Sequence, residues 1–138
     1  YEWVKRTTVG MSVIGAMIVS AIALPLYLAS DWLLIQWMGR SFPGQSQIIA
    51  WLCGVSVLMA IVSPFNMVLN SVGGLRIQLF AWVALLGLAL PLKYLLLEPS
   101  SLHLLALVTF FTYGATVGVA VIFAVWRSGF GRYREGLL

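Results

Sequence analysis

The sequence has very few charged residues for its length. Only 9% of its 138 residues are Asp, Glu, Lys or Arg, whereas soluble globular proteins carry about 25%. Hydrophobic residues make up 62% of the chain, and the mean hydropathy is +1.01. This composition is typical of membrane proteins. The basic residues number eight against four acids, which is too sparse a charge for a nucleic-acid-binding surface.

Groups suited to catalysis or metal binding are also scarce. The single cysteine, Cys53, can form neither an internal disulfide nor a metal site. The single histidine, His103, has no nearby pattern of Ser, Cys or Asp that would favour a triad or a metal site. No acid lies inside an apolar run, which argues against a small proton-coupled multidrug exporter. The sequence therefore predicts no enzyme activity, catalytic residue, metal or cofactor.

Four long uncharged runs predict four transmembrane helices, over about 9–28, 47–70, 77–97 and 104–126. Each has roughly the 20 residues that cross a hydrocarbon core of about 30 Å. Helices are expected because lipid offers no partner to open backbone groups. The predicted fold is an all-α membrane protein with four spans in two antiparallel hairpins.

The basic residues predict the orientation of these spans, because they are enriched on the cytoplasmic side of membranes. With both ends of the chain cytoplasmic, only Arg40 and Lys93 lie outside. The inner basic residues are then Lys5, Arg6, Arg76, Arg127, Arg132 and Arg134.

Two segments outside the spans have a distinct composition. The stretch DWLLIQWM, 31–38, predicts a short helix lying in the membrane interface. The basic, aromatic tail, 127–138, predicts anchoring to anionic headgroups, with partner binding as the alternative. The chain begins with Tyr1, and Lys5 and Arg6 lead directly into the first span. We therefore expect a piece of a larger protein.

Glycines and prolines within the spans predict packing contacts and kinks. Gly114 and Gly118 form a G-x-x-x-G step, which favours close packing within the bundle, with dimerisation as the alternative. Pro25, Pro64 and Pro91 lie inside spans or near their ends. Each proline removes one backbone hydrogen bond and predicts a kink that could serve as a hinge.

Two sets of small or hydroxylated residues predict contacts between spans. On the first span, small residues repeat every four positions and favour close helix approach. On the fourth span, three threonines share one side, where they would hydrogen-bond to a neighbouring helix or line a polar cavity. The two sets are Ser12, Ala16 and Ser20, and Thr109, Thr112 and Thr116.

The stretch SPFNMVLNSVGGLRIQ has an unusual density of polar residues for a membrane span. Ser56, Ser63, Asn66 and Asn70 share one helical face, and such a face points toward other helices or a water-filled cavity. The glycine pair suits a left-handed helix cap, and Arg76 begins the next span. One interpretation is a packing seam, a cap and a topology charge. The other is a substrate-binding wall formed by Asn66, Asn70 and Arg76, whose cation suits phosphate.

Two stretches, LLIQWMGRSFPGQSQIIAWL (33–52) and NMVLNSVGGLRIQLF (66–80), resemble the C-terminal part of polysaccharide flippases. These O-antigen type proteins belong to the multidrug/oligosaccharidyl-lipid/polysaccharide exporter superfamily. Their pattern is an apolar segment, Gly-x-x-Phe, a span, then Asn or Ala, Gly and a basic residue. Family members often carry an acid near the Gly-x-x-Phe step, where this chain has Arg40 and Ser41. The matching residues are Gly39, Phe42, Asn70, Gly73 or Gly74, and Arg76.

The resemblance covers nearly all of 1–126, as the last four helices of a longer transporter with twelve or more. It implies a bacterial inner-membrane flippase that moves a polyprenyl-pyrophosphate-linked oligosaccharide to the outer leaflet by alternating access. Its partners would be that substrate, membrane lipids, the remaining helices and polysaccharide assembly enzymes. Two alternatives stay open: a multidrug or ion exporter of the same superfamily, and a non-transporting membrane scaffold for glycan assembly enzymes.

Overall fold

Helices form nearly all of the chain that the structure describes. A computed structural model describes residues 2–40, 44–96 and 102–129, and no strand occurs in this part. The last four elements follow one another without a break, so they form one helical rod. The elements are α1 (Glu2–Leu28), α2 (Ser30–Met38), α3 (Gln45–Ser71), α4 (Leu75–Leu95), α5 (Leu102–Tyr113), a π-helical segment (Gly114–Gly118), α6 (Val119–Ala124) and a second π-helical segment (Val125–Gly129).

Four of these helical segments are long and apolar enough to cross a membrane. They are α1, α3, α4 and Leu102–Arg127 in the final rod, and the most apolar stretches have mean hydropathies of 1.8 to 2.2. The predicted all-α fold with four apolar helices is confirmed, and it indicates a multi-pass membrane protein. The two-hairpin threading, the orientation and the larger transporter stay predictions.

The helices extend beyond several of the predicted spans. α1 begins at Glu2, well before the predicted span at 9–28, and α3 begins at Gln45. A helix can continue into the polar region, since bilayer thickness limits only the apolar part of its length. The short helix expected over 31–38 is α2. Several residues of the predictions lie outside the described residues: Ser41, Phe42, Leu97 and the tail beyond 129.

The first contact surface of α3 faces α1. Ser12 Oγ donates to the carbonyl of Ile61 at 2.8 Å, and Cys53 Sγ lies 3.6 Å from the carbonyl of Ala23. A later residue of α1 therefore meets an earlier residue of α3. The two helices run antiparallel.

The second contact surface of α3 faces the final rod. The rings of Trp51 and Phe110 lie 5.4 Å apart near one end, and Val62 Cγ2 lies 3.7 Å from where a Cβ on Gly118 would be. Here later residues of α3 meet later residues of the rod. These two helices run parallel, and α3 lies between α1 and the rod.

The main core lies between α3, α4 and the rod. Valines spaced four apart on the rod belong to the same buried cluster as small and apolar residues spaced four apart on α4. Rows of residues with this spacing form the ridges by which helices interdigitate. The two rows are Val117, Val121 and Val125, and Ala81, Leu85 and Ala89. α1 contributes little to this core and packs instead through small residues.

The three prolines lie within continuous helices. Pro25, Pro64 and Pro91 are inside α1, α3 and α4. α3 continues through Pro64 to Ser71 without a break. Loss of one N–H leaves the neighbouring hydrogen bonds of a long helix in place. The hinge role of the prolines stays a prediction.

Candidate functional site

The third side of α3 is open in the described structure. Ser56, Ser63 and Asn70 are exposed along it, seven residues apart. Leu52 and Met59 are exposed between and beside them. Because seven residues make nearly two helical turns, these residues line one face. Three of the four residues of the predicted polar face therefore point away from α1 and away from the rod, whereas the fourth, Asn66, is half-buried.

The α3–α4 turn returns the chain sharply beside the end of α3. Gly73 has φ +75°, and its N–H donates to the carbonyl of Asn70 at 3.2 Å. Gly74 N–H donates to the carbonyl of Leu69 at 2.8 Å. This pair of bonds is the Schellman motif, which requires the left-handed conformation that glycine adopts readily. A Cβ on Gly74 would lie 2.9 Å from the carbonyl oxygen of Leu69, so this position also requires glycine.

Because of this turn, the first residues of α4 contact the last turns of α3. Gln78 Nε2 donates to the backbone carbonyl of Asn66 at 3.0 Å. The side-chain oxygen Oδ1 of Asn66 is buried and has no hydrogen-bond partner among the described residues. Buried polar atoms are normally paired. Asn66 therefore has an acceptor that a further helix, a water or a ligand would satisfy.

Arg76 lies at the second position of α4 and is exposed. With Leu79 and Trp82 it lines an open groove of about 400 Å³. A cation at a helix N-terminus is disfavoured by the helix dipole, so Arg76 does not stabilise α4 at this position. It forms no ion pair with Glu2 or Asp31, the acids within the described ranges. Its guanidinium is therefore available for an anion.

The structure brings only some of the predicted site residues together. Asn66 and Asn70 lie one turn apart on α3, and Arg76 follows after the turn. No hydrogen bond within the described residues joins the side chains of these three. Gln78 was not predicted as part of the site. Its place four residues after a tight glycine turn is the signal that would have identified it.

The G-x-x-x-G step packs within the chain. Leu58 Cδ2 lies 3.3 Å from where a Cβ on Gly114 would be, and Val62 contacts Gly118 in the same way. The step forms a π-helical segment, which the sequence did not predict. Because the two glycines have no side chains, Leu58 and Val62 of α3 can approach them closely. The contact is the packing within the bundle that was predicted, with dimerisation as the alternative.

Among the described residues, the three threonines of the rod bond within the rod, so the first of their two predicted uses, a bond to a neighbouring helix, is not found. Their hydroxyls donate within the rod to carbonyls four residues earlier, at 2.9, 2.6 and 2.7 Å. This bonding pattern is common for Thr in helices, and it perturbs the backbone locally. The bonds are Thr109 to Leu105, Thr112 to Val108 and Thr116 to Thr112.

The small face of α1 contacts α3 beside Pro64. Pro64 has no N–H, so the carbonyl of Ala60 loses its usual donor. Gly15 lies against this carbonyl, whose oxygen would be 3.5 Å from a Cβ on Gly15. On the next residue, the carbonyl of Ile61 accepts the bond from Ser12. The sequence analysis identified Ser12 as a contact residue but missed Gly15. The predicted four-residue repeat placed Ala16 at the contact, whereas Gly15 is the residue that lies against Ala60.

A second polar contact joins α2 to the beginning of α3. Gln45, which is buried, donates from Nε2 to Oδ1 of Asp31 at 2.8 Å. The His103 ring lies beside Gly44, whose φ is +76°. Glu98, the other acid on this side of the predicted topology, lies outside the described residues. The bond joins the beginning of α2 to the beginning of α3, and neither of its two side chains is a nucleophile that His103 could activate.

The fold and the site together define a class: a multi-pass helical membrane protein whose central helix has an uncovered polar side. Comparison with protein-family models, with curated proteins and with solved structures finds no match to this chain.

Proposed function

We propose that this chain is part of a transporter that flips a lipid-linked oligosaccharide from the cytoplasmic to the outer leaflet during polysaccharide biosynthesis. The observation that carries the proposal is the open third side of α3. Polar side chains in a span face another helix or water and avoid lipid. Ser63 and Asn70 are exposed on that side. In a bilayer they need a polar neighbour, which a second lobe and a substrate cavity would supply.

The cation beside this surface supports an anionic cargo. Arg76 is exposed at the beginning of α4, one tight turn after Asn70. A guanidinium binds phosphate oxygens through paired hydrogen bonds, so it suits a polyprenyl pyrophosphate. The polyprenyl tail can remain in lipid while the headgroup passes between two lobes by alternating access.

The described acids lie at helix ends, so none of them offers a cationic drug a carboxylate within these spans. In the part of the chain that the structure describes, the acids are Glu2 and Asp31, each in the first turn of a helix. A carrier for cations would place carboxylates within its spans. The proposed location is the bacterial inner membrane, with both ends of this segment cytoplasmic.

The experiment replaces Arg76 by alanine and Asn70 by leucine in the full-length protein and measures surface glycan. Loss of a hydrogen bond to a charged group costs roughly 1.5–3 kcal/mol, so we expect glycan export to fall about tenfold or more. Arg76→Lys should retain part of the activity, because it keeps the charge. Lys93→Ala, at the other end of α4, and Met67→Leu are matched controls.

Protein level in the membrane is measured for every variant. Normal glycan display at normal protein level in both Arg76→Ala and Asn70→Leu would remove these residues from transport. A loss that Lys93→Ala shares would indicate a general effect of removing positive charge from α4.

A further inference from the structure

A groove of about 420 Å³ lies where α2 meets α1 and α3. Leu26 of α1, Leu34 of α2 and Ile49 of α3 line it, together with Trp32 and Trp37. Almost all of this lining is apolar. The volume lies within the range of roughly 300–1,000 Å³ found for small-molecule pockets.

α2 buries very little of its apolar surface against the rest of the chain. Trp37 is 89% exposed and Trp32 is 64% exposed, and only Ser30 is buried. An apolar helix between two membrane-crossing helices lies where lipid can cover it. Leu26, Trp32 and Trp37 line the groove and are exposed, so lipid would contact the edge of the groove in a bilayer.

We infer that this groove binds one phospholipid from the surrounding bilayer, with an acyl chain between α2 and α3 and its phosphate at Arg40. Arg40 follows Gly39 at the end of α2, is exposed, and forms no ion pair with Glu2 or Asp31 in the described ranges. The two tryptophans belong to the residue type that is enriched at headgroup depth.

The binding does not come from the hydrophobic effect, because lipid tails are as apolar as leucine. It comes from dispersion contacts in a groove that would otherwise be a void, and from the attraction between Arg40 and the phosphate. The site goes beyond the proposed transport function and does not depend on it.

The test uses the full-length protein in nanodiscs with a phosphatidylglycerol that carries a photoreactive diazirine in one acyl chain. Mass spectrometry then locates the crosslinks. We expect Leu34 and Ile49 to be labelled about fivefold more than Leu86 and Leu90, which are exposed on α4; this ratio corresponds to roughly 1 kcal/mol.

Two variants separate the acyl-chain contact from the phosphate contact. Ile49→Trp fills the groove and should abolish the enrichment, with Ile49→Phe as a milder change and Leu86→Trp as the matched control. Arg40→Gln should lower labelling about two- to fivefold, as for an exposed ion pair, while Arg6→Gln should not. A diacylglycerol probe, which lacks the phosphate, should be insensitive to Arg40→Gln.

Equal labelling of Leu34, Ile49 and the α4 leucines would show only unspecific lipid contact and would overturn the inference. It would also be overturned if polyprenyl phosphate displaced the probe while excess unlabelled phosphatidylglycerol did not. Because no arm measures glycan transport, failure here leaves the proposed function standing.

Discussion

Replacing Ser12 by alanine tests how α1 is held against α3. Ser12 is buried, and its hydroxyl donates to the carbonyl of Ile61 at 2.8 Å. Hydrogen bonds between transmembrane helices contribute about 0.6 kcal/mol on average and up to about 1.7. Because Ser12 is buried, we place this bond in the upper half of that range. The expected loss is about 1–1.5 kcal/mol in the free energy of unfolding.

The assay is reversible unfolding in mixed micelles, followed by circular dichroism. Ser56→Ala is the matched control, since the Ser56 hydroxyl bonds to Leu52 of its own helix on the exposed side. We expect this control to change the free energy of unfolding by less than about 0.5 kcal/mol. Equal costs for Ser12→Ala and Ser56→Ala would refute the reasoning.

Further predictions concern the turn, the rod and the contact between the beginning of α1 and the rod. Gly73→Ala should lower the free energy of unfolding by about 1–2 kcal/mol, because φ at this position is +75°. Gly87→Ala is the control: a Cβ there meets nothing within 4 Å, so the substitution should be neutral or stabilising in the same unfolding assay. Thr109→Val should lower the free energy of unfolding by less than Ser12→Ala, since the Thr109 hydroxyl bonds within its own helix. An equal loss for the two variants would contradict this. Lys5 Nζ lies 4.6 Å from the ring centroid of Trp126. Lys5→Met removes this cation–π contact and should lower the free energy of unfolding by about 0.5–1 kcal/mol. An unchanged unfolding midpoint in low salt would contradict this prediction.

Helix type and number could be predicted because lipid leaves the backbone few options. Each long uncharged run must form internal hydrogen bonds, so four runs gave four helices. The glycine cap at Gly73 was also predictable, since few other residues adopt a positive φ.

The partners of individual side chains could not be predicted, because several helical faces were chemically equivalent. The threonines of the rod and Ser12 all carry hydroxyls on apolar helices. Only the positions of the neighbouring helices decide that Ser12 meets a carbonyl of α3. The threonines, where no such acceptor is used, bond within their own rod.

The sequence by itself determined that the chain forms apolar helices of membrane-crossing length, because composition and run length alone fix that outcome. The tertiary structure decided the order of the helices, with α3 between α1 and the rod. It also decided which side of α3 is left open, with Asn70 exposed and Asn66 Oδ1 unpaired within the described residues. The physical reason is that packing depends on the shapes of facing surfaces: Gly15 against Ala60, and Gly118 against Val62. No single helix carries that information.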